Sequence, residues 1–329
     1  MNDMTFVTDA ELADACAALR RGEVIGLPTE TVYGLAGDAR NVEAVRRIFS
    51  IKGRPADHPL IVHLADASEL GSWTREVPDL ALKLAAAFWP GPLTMILKRA
   101  GHVSDLVTGG QDTIGVRVPN HPVALALLRM FGSGLAAPSA NRFGHVSPTT
   151  AAHVRDEFGD AVPIVLDGGP CKVGIESTIV DLSGTTVRIL RPGQIGADRI
   201  AEVLGEPVAV GTQPASPRVS GSLASHYAPD TPAERVPTDQ LDTLIRQALG
   251  SGESVRVLAL RHLPDGVHGL VMPNDPEQYA RHLYAALRSL DAEGAERLMI
   301  ETPPDDPRWL AIHDRIARAT VAPCDDDAP

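Results

Sequence analysis

The sequence has few cysteines, few aromatic residues and no apolar run long enough to cross a membrane. Its cysteines, Cys16, Cys171 and Cys324, lie far apart and form no C-x-x-C pair, so they indicate neither a disulfide framework nor a zinc knuckle. Aromatic residues make up only 4% of the chain, so aliphatic residues and alanine must fill the core. The start, MNDMTFVTDAELADAC, lacks the basic segment and apolar core of a signal peptide, and we expect a cytoplasmic protein.

Several fingerprints of well-known chemistry are also missing. The chain contains no Walker A loop of the form G-x-x-x-x-G-K-[ST], no dinucleotide-binding G-x-G-x-x-G and no nucleophile elbow G-x-S-x-G. His58 and His63 stand close in sequence, but prolines surround them and their spacing does not suit a metal pair. The sequence therefore predicts neither a nucleophile–base pair nor metal-ligating residues.

The charge balance is acidic, with 30 Lys and Arg against 42 Asp and Glu and a formal charge of −12. Nucleic-acid binding needs a basic surface that displaces counterions, so an RNA-binding module without catalysis is a disfavoured alternative. A local basic pocket in such a chain would attract a small anion more selectively than a polyanion. We expect no strong direct nucleic-acid binding and no membrane association.

The length of 329 residues suggests two domains, because a domain averages about 150 residues. Mixed helices and strands predict one α/β domain over residues 1–208. Residues 209–232 are rich in Gly, Ser, Pro and Ala and predict a linker. Strands that alternate with helices predict a smaller parallel α/β domain over 233–329. In the first domain, short apolar segments predict strands in EVIGLPT, PLIVHLA, LTMILKR, TIGVRVPN, GLAAPSAN, PIVLDGG, STIVDLSG and TVRILRPG.

The segment SIKGRPADHPLIVHL concentrates cations and is interrupted by glycine and proline, so it cannot form one helix. Lys52 and Arg54 flank Gly53, where a backbone without a side chain lets a phosphate approach a lysine and an arginine fork. Taken alone, a lone K-x-R is more often a solvated basic loop. His63 within an apolar strand is, by itself, more often a packed residue than a ligand.

Polar side chains lie on or just after several other predicted strands, near the loops where α/β proteins commonly place ligands. Each of them alone also fits an ordinary turn, cap or exposed strand face. They lie in LPTETVYGL, VRVP, APSANRFGHVSP, GIESTIVDL and RILRPG, and include Thr31, Arg117, Ser139, Asn141, Ser147, Ser177 and Arg191. Together with Lys52 and Arg54 they predict one pocket rich in cations and hydroxyls. Such a pocket favours transfer by positioning and charge neutralisation, as in attack on a nucleotide phosphate.

The motifs PTETVYGL, KGRP…HPLIVH, RVP, APSAN and GIESTIVD stand in the order and spacing of the YrdC-like family. The segment SHYAP and the following α/β domain resemble the long, two-domain L-threonylcarbamoyladenylate synthases of that family. The resemblance covers nearly the whole chain. It implies a twisted open mixed sheet with a concave basic cavity, followed by a smaller Rossmann-like parallel α/β domain.

The resemblance also implies a nucleotidyltransferase activity. L-threonine, bicarbonate and ATP would give threonylcarbamoyl-AMP, pyrophosphate and water, as the first step of threonylcarbamoyladenosine modification of tRNA. A separate tRNA threonylcarbamoyl transferase complex would use the product, and Mg²⁺ would accompany ATP, held by ligands that the sequence does not identify. Carbamoyl or adenylyl transfer to another acceptor, and a paralogue with a different substrate, remain alternatives.

Matched motif by motif, the resemblance assigns site residues. The catalytic set is Lys52, Arg54, Ser139 and Asn141. The ATP site adds His58, Thr113, Ser147, Arg191 and Tyr227, and the threonine site comprises Thr31, His63, Arg117 and Ser177. Tyr227 lies in the linker, which the resemblance places over the mouth of the active site. This linker is spelled SPRVSGSLASHYAP and departs from the shorter family pattern.

Overall fold

The structure is a computed structural model that describes residues 7–223 and 225–320, so Cys324 lies outside the described residues. Two compact units can be separated. The first contains residues up to Arg142 and Pro148–Ser222, and the second contains Phe143–Ser147 and the chain from Leu223 onward. Residues 209–222 of the predicted linker thus belong to the first unit, and 223–232 belong to the second.

The helices of the first unit begin and end at residues suited to those positions. The first helix starts with a capping box in which Thr8 and Glu11 satisfy each other's backbone N–H groups. The second is capped by Asn41 and ends because Gly53 adopts the left-handed conformation, with a φ of 62°. The helices are α1 (Asp9–Arg20), α2 (Val42–Lys52), α3 (Asp79–Phe88), α4 (Asp105–Thr108), α5 (Pro122–Phe131), α6 (Ala151–Phe158) and α7 (Ala197–Leu204).

The described strands of the first unit form a nine-stranded mixed sheet in the order β1-β2-β6-β3-β5-β4-β7-β8-β9. They are β1 (Ile25–Leu27), β2 (Gly34–Asp38), β3 (Ile61–His63), β4 (Leu93–Lys98), β5 (Thr113–Arg117), β6 (Leu135–Ala136), β7 (Thr178–Asp181), β8 (Arg188–Arg191) and β9 (Ala209–Val210). The pairs β3–β5, β4–β7 and β8–β9 are parallel, and the others are antiparallel. The predicted open mixed sheet is confirmed.

Two details of this sheet differ from the sequence-based prediction. The strand predicted in PIVLDGG is wrong, because this segment makes only a single bridge, between Val165 and Gly26. It is held there by two backbone hydrogen bonds, and the chain turns away at the Gly168–Gly169 pair. Conversely, β2 went unpredicted because its glycines hide the strand pattern. They allow close packing, since a Cβ on Gly37 would lie 3.2 Å from Ile48.

The second unit is built on a four-stranded sheet in the order β10-β13-β11-β12, in which the described strand pairs are all parallel. Its strands are β10 (Ala233–Val236), β11 (Val255–Ala259), β12 (Gly269–Val271) and β13 (Arg297–Glu301), and its helices are α8 (Leu241–Ser251), α9 (Pro276–Asp291) and α10 (Leu310–Ala319). The predicted parallel α/β fold of this part is therefore confirmed. In the part of the chain that the structure describes, no helix is long and apolar enough to span a membrane.

Candidate active site

Lys52 joins two of the predicted motifs. It is the last residue of α2 and is buried, and its ammonium group donates hydrogen bonds to the carbonyl oxygens of Ser139, at 2.6 Å, and of Asn141. Burial, and next the charge of Arg54, lowers the pKa of Lys52 well below its ordinary value. An incoming anion would favour the charged form, so this lysine is suited to bind one.

Arg54 and Arg191 meet at the same residue of the predicted linker. Arg54 Nη2 lies 3.2 Å from Ser220 Oγ, and Arg191 Nη1 donates to the Ser220 carbonyl oxygen at 3.0 Å. Arg191, at the end of β8, also donates to the Ser177 carbonyl oxygen at 2.9 Å and to its hydroxyl at 3.2 Å. Both arginines are buried, so the fold brings two predicted ATP-site residues into contact with one neutral residue, Ser220.

Arg117 ends β5 and forms a second centre of charge. Its Nη1 donates to Thr31 Oγ1 at 2.9 Å, its Nε donates to the Gly91 carbonyl at 3.2 Å, and its Nη2 lies 2.7 Å from Glu30 Oε1. His63 is its register partner on the neighbouring parallel strand β3. Burial, and next the charge of Arg117, lowers the pKa of His63 to about 3, so this imidazole is neutral at pH 7.

A cluster of apolar residues, which we call the floor, lies next to Ser220 along the same small cavity. Ile61 of β3, Ile96 of β4 and Ile179 of β7 pack with Val219 of the predicted linker. Thr113 and Gly115 of β5 line the same small cavity. The residues beside Val219 are fixed as well, because the amide side chain of Gln111 donates to the Arg218 carbonyl at 3.1 Å and accepts from its N–H at 2.7 Å.

The first unit thus brings together most of the predicted site residues. Direct contacts join Lys52 to the backbone of Ser139 and Asn141, Arg191 to Ser177, and Arg117 to Thr31. His58 lies in the same unit near Asp57, at 4.0 Å. Ser147 and Tyr227 belong to the second unit, where Tyr227 has a φ of 62° and its ring lies 5.7 Å from that of Tyr284.

The structure adds residues that the sequence did not assign to the site. Glu30 stands inside the PTETVYGL motif and contacts Arg117, and Thr94 Oγ1 lies 2.8 Å from Ser177 Oγ. Sequence analysis could have found Glu30 and Thr94, because both stand in or beside motifs or strands that it had already singled out. No local sequence pattern marks Gln111 or Ser220 as site residues, because their contacts join segments more than a hundred residues apart.

Comparisons with known proteins identify the family. A family model described as "Telomere recombination", covering Sua5, YciO and YrdC proteins, matches residues 17–193. A second, described as "Threonylcarbamoyl-AMP synthase, C-terminal domain", matches residues 195–321. Threonylcarbamoyl-AMP synthase from Bacillus subtilis is 39% identical over 332 residues, covering 97% of this chain and 95% of that protein. The Pyrococcus abyssi protein of the same name is 37% identical over 317 residues, covering 93% of each.

Among solved structures, the crystal structure of P. abyssi Sua5 complexed with L-threonine matches with a TM-score of 0.90 and 34% identity. That match covers 95% of this chain and 95% of the solved chain. The likeness extends over both units and accompanies the motifs gathered around Lys52 and Arg117. This chain therefore belongs to the Sua5/YrdC family, in the two-domain form that carries the threonylcarbamoyl-AMP synthase C-terminal domain.

Proposed function

We propose that this chain converts L-threonine, bicarbonate and ATP into threonylcarbamoyl-AMP, pyrophosphate and water, as the first step in making threonylcarbamoyladenosine in tRNA. The observation that carries the proposal is the convergence of Arg54 and Arg191 on Ser220, in a unit that also buries Lys52 and Arg117. These four cationic side chains place positive charge in the buried part of a chain of charge −12, and a local basic pocket of this kind suits a small anionic substrate. The full-length likeness to threonylcarbamoyl-AMP synthases supports the same reaction.

Charge neutralisation is the main task that this reaction sets. The amine of threonine combines with bicarbonate to give a carbamate and water, and a carbamate oxygen then attacks the α-phosphorus of ATP while pyrophosphate leaves. Attacking group, phosphate and leaving group are all negative, and fixed positive groups in a buried site reduce their repulsion. In the proposal, Lys52, Arg54, Ser139 and Asn141 serve this step, while His58, Thr113, Ser147, Arg191 and Tyr227 complete the ATP site.

The amino acid would lie at the other centre of charge. Arg117 would bind its carboxylate, with Thr31, His63 and Ser177 around the remaining polar groups. His63 is neutral at pH 7, so it can donate and accept hydrogen bonds without adding charge beside Arg117. The bridge between Ser177 and Thr94 would fix the Ser177 hydroxyl, at 2.8 Å, for this purpose.

Mg²⁺ is part of the proposal only as a companion of ATP. Within residues 7–223 and 225–320, no group of three His, Cys, Asp or Glu residues is arranged to hold a metal ion. The described residues therefore do not fit a metal cage built by the protein. Mg²⁺ in nucleotide sites is commonly held through phosphate oxygens and water, and we assign no step to it. A tRNA threonylcarbamoyl transferase complex would be the downstream partner, because it consumes the adenylate.

The test is direct. Purified protein would be incubated with ATP labelled in the α-phosphate, Mg²⁺ and bicarbonate, with and without L-threonine, and analysed quickly for a new adenylate and for pyrophosphate. We expect an adenylate that forms only when threonine and bicarbonate are both present. If ATP bound but this product did not form, the ATP site would be supported and the proposed reaction would be rejected.

A further inference from the structure

Glu30 and Arg117 form a buried pair whose hydrogen-bonding capacity is only partly used. Each residue is 4% exposed, and Arg117 Nη2 lies 2.7 Å from Glu30 Oε1. Despite this contact, neither carboxylate oxygen of Glu30 and neither N–H of Arg117 Nη2 makes a well-aligned hydrogen bond with any described residue. Buried polar groups are almost always hydrogen-bonded, so this arrangement points to a ligand that supplies the partners.

The surroundings hold the pair in place. The Val173 N–H donates to the Glu30 carbonyl at 2.7 Å, and the Gly174 N–H donates to the Thr31 carbonyl at 3.1 Å. On the other side, Arg117 is oriented by the Thr31 hydroxyl and the Gly91 carbonyl. The carboxylate and the guanidinium are thus presented side by side on fixed backbone, and their unused donors and acceptors are next to each other.

This combination defines the chemistry of the ligand. A carboxylate with free acceptor positions binds an ammonium group, and a guanidinium with free donors binds a carboxylate. An α-amino acid zwitterion carries an ammonium group and a carboxylate on one carbon. Its ammonium group can face the Glu30 carboxylate while its carboxylate faces the Arg117 guanidinium. Binding would therefore bury no net charge, and each charge of the ligand would face an opposite charge that offsets part of its desolvation cost.

We propose that Glu30 binds the α-ammonium group of the amino-acid substrate while Arg117 binds its carboxylate. The inference rests on the proposed function, since it concerns the amino-acid site of that reaction. It makes Glu30 a substrate-binding residue that selects α-amino acids over α-hydroxy acids. It also positions the nitrogen, which can react with bicarbonate only after the ammonium group has given up one proton.

The first experiment uses the unaltered protein. Binding of L-threonine would be compared by calorimetry with binding of the α-hydroxy acid of the same carbon skeleton, in which a hydroxyl replaces the amine. We expect threonine to bind at least about tenfold more tightly, which corresponds to one charge-assisted hydrogen bond. Equal affinities would overturn the proposal without any variant.

The second experiment uses Glu30→Gln, which keeps the shape of the side chain and removes its charge. We expect the preference for threonine over the hydroxy acid to fall to about twofold or less, while ATP affinity stays unchanged. Glu30→Asp keeps the charge and should retain part of the preference. The matched control is Glu301→Gln, a buried glutamate of the second unit that accepts a backbone hydrogen bond from Leu260, and it should keep the full preference.

The outcomes separate this inference from the proposed function. If Glu30→Gln weakens both ligands by the same factor, Glu30 only positions Arg117 and the inference is overturned. If Glu30→Gln weakens both ligands equally but the unaltered protein makes threonylcarbamoyl-AMP, the proposed function stands and only the inference about Glu30 is rejected. If threonine binds with the expected preference but no adenylate forms, the inference stands and the reaction is rejected.

Discussion

Lys52 links the end of a helix to the APSAN loop through a single buried ammonium group. Its two carbonyl acceptors belong to Ser139 and Asn141, both assigned to catalysis by motif. A lysine in this position has two tasks, since it fixes the loop and supplies positive charge. Burial opposes that charge, and it lowers the pKa of Lys52 well below its ordinary value, as does the neighbouring charge of Arg54.

Replacing Lys52 tests its role in turnover. We expect Lys52→Ala to lower the rate of adenylate formation by about 10²–10³-fold, the usual effect of removing one preorganised electrostatic group. The protein should remain folded, as checked by its thermal unfolding midpoint. Lys172→Ala removes an exposed lysine of the same unit and serves as the control. A Lys52→Ala enzyme with normal turnover would show that our site assignment is incorrect.

His63 should make folding stability depend on pH. Its pKa is about 3 in the folded protein against an ordinary value of 6.5, so between these values the unfolded chain binds a proton that the folded protein does not. Stability attributable to the neutral imidazole is present above about pH 6.5 and is lost as pH falls toward 3. Between pH 7 and pH 5, the unaltered protein should lose about 2 kcal/mol more free energy of unfolding than His63→Gln.

Urea unfolding at the two pH values measures this difference. His102→Gln, which changes an exposed histidine of the same unit, should behave like the unaltered protein. Parallel pH dependence in the unaltered protein and His63→Gln would mean that the imidazole is not buried in its neutral form.

At the scale of elements, the segment around Ser220 is fixed by side chains that lie far away in sequence. Gln111 makes two hydrogen bonds to the backbone of Arg218, and the Arg218 side chain reaches Asp57 at 3.1 Å and the Gly109 carbonyl at 2.9 Å. Ser220 then contacts both arginines that we assign to the ATP site, Arg54 and Arg191. A phosphate group that bound these arginines would compete with Ser220 for their N–H donors.

Loosening the segment should therefore strengthen ATP binding. Gln111→Ala removes two hydrogen bonds, each worth about 1 kcal/mol, and we expect the Kd for ATP to fall by about three- to tenfold. Calorimetric titration of ATP measures the change. Gln213→Ala, which alters an exposed glutamine of the same stretch, is the matched control. Weaker ATP binding in Gln111→Ala would instead indicate that the segment contributes contacts to the nucleotide.

The elements also show what local sequence could and could not predict. Helices α1 and α2 were predictable because their ends carry local signals, namely an acidic first turn, an asparagine cap and a terminal glycine. Strand β2 escaped prediction because its glycines serve close packing against other elements. PIVLDGG was mistaken for a strand because its apolar residues pack without extending the hydrogen-bonded pairing.

The same distinction applies to the site. The motifs marked Lys52, Arg54 and Arg117 because each stands in a recognisable local pattern. The contacts of Ser220 depend on a chain that returns to the sheet after more than 160 residues, and no local pattern encodes such a return. Glu30 was visible as a carboxylate in its motif, but its pairing with Arg117 required the fold.

On the scale of the whole molecule, the chain is acidic while the first unit buries four cationic side chains at the candidate site, Lys52, Arg54, Arg117 and Arg191. The boundary near residue 222 matters for testing this unit, because Val219 and Ser220 belong to it rather than to the second unit. The predicted division at residues 208 and 232 stays a prediction about domains. The effect of the domain boundary on activity can be measured by comparing proteins that are shortened at different residues.

Shortened chains provide that measurement. We expect a protein lacking residues 211–329 to make the adenylate at least about tenfold more slowly than the full chain, because the floor loses Val219 and the site is more exposed to water. A protein ending at residue 222 keeps these contacts and is the matched comparison. Thermal unfolding of both would verify that they are folded. If the protein lacking residues 211–329 formed the adenylate as fast as the full chain, the predicted linker would only connect the two domains and would not contribute to catalysis.

The register between β3 and β5 has a consequence for quality control of folding. His63 lies beside Arg117, and the preceding residues Val62 and Val116 are likewise paired and belong to the apolar core. A slip of one residue in either strand would turn its polar site residue into the core and its valine toward the substrate. The active site and the apolar core thus depend on the same strand pairing. A chain that paired in the wrong register would lose both together. We therefore expect that no stable but inactive form with this error accumulates.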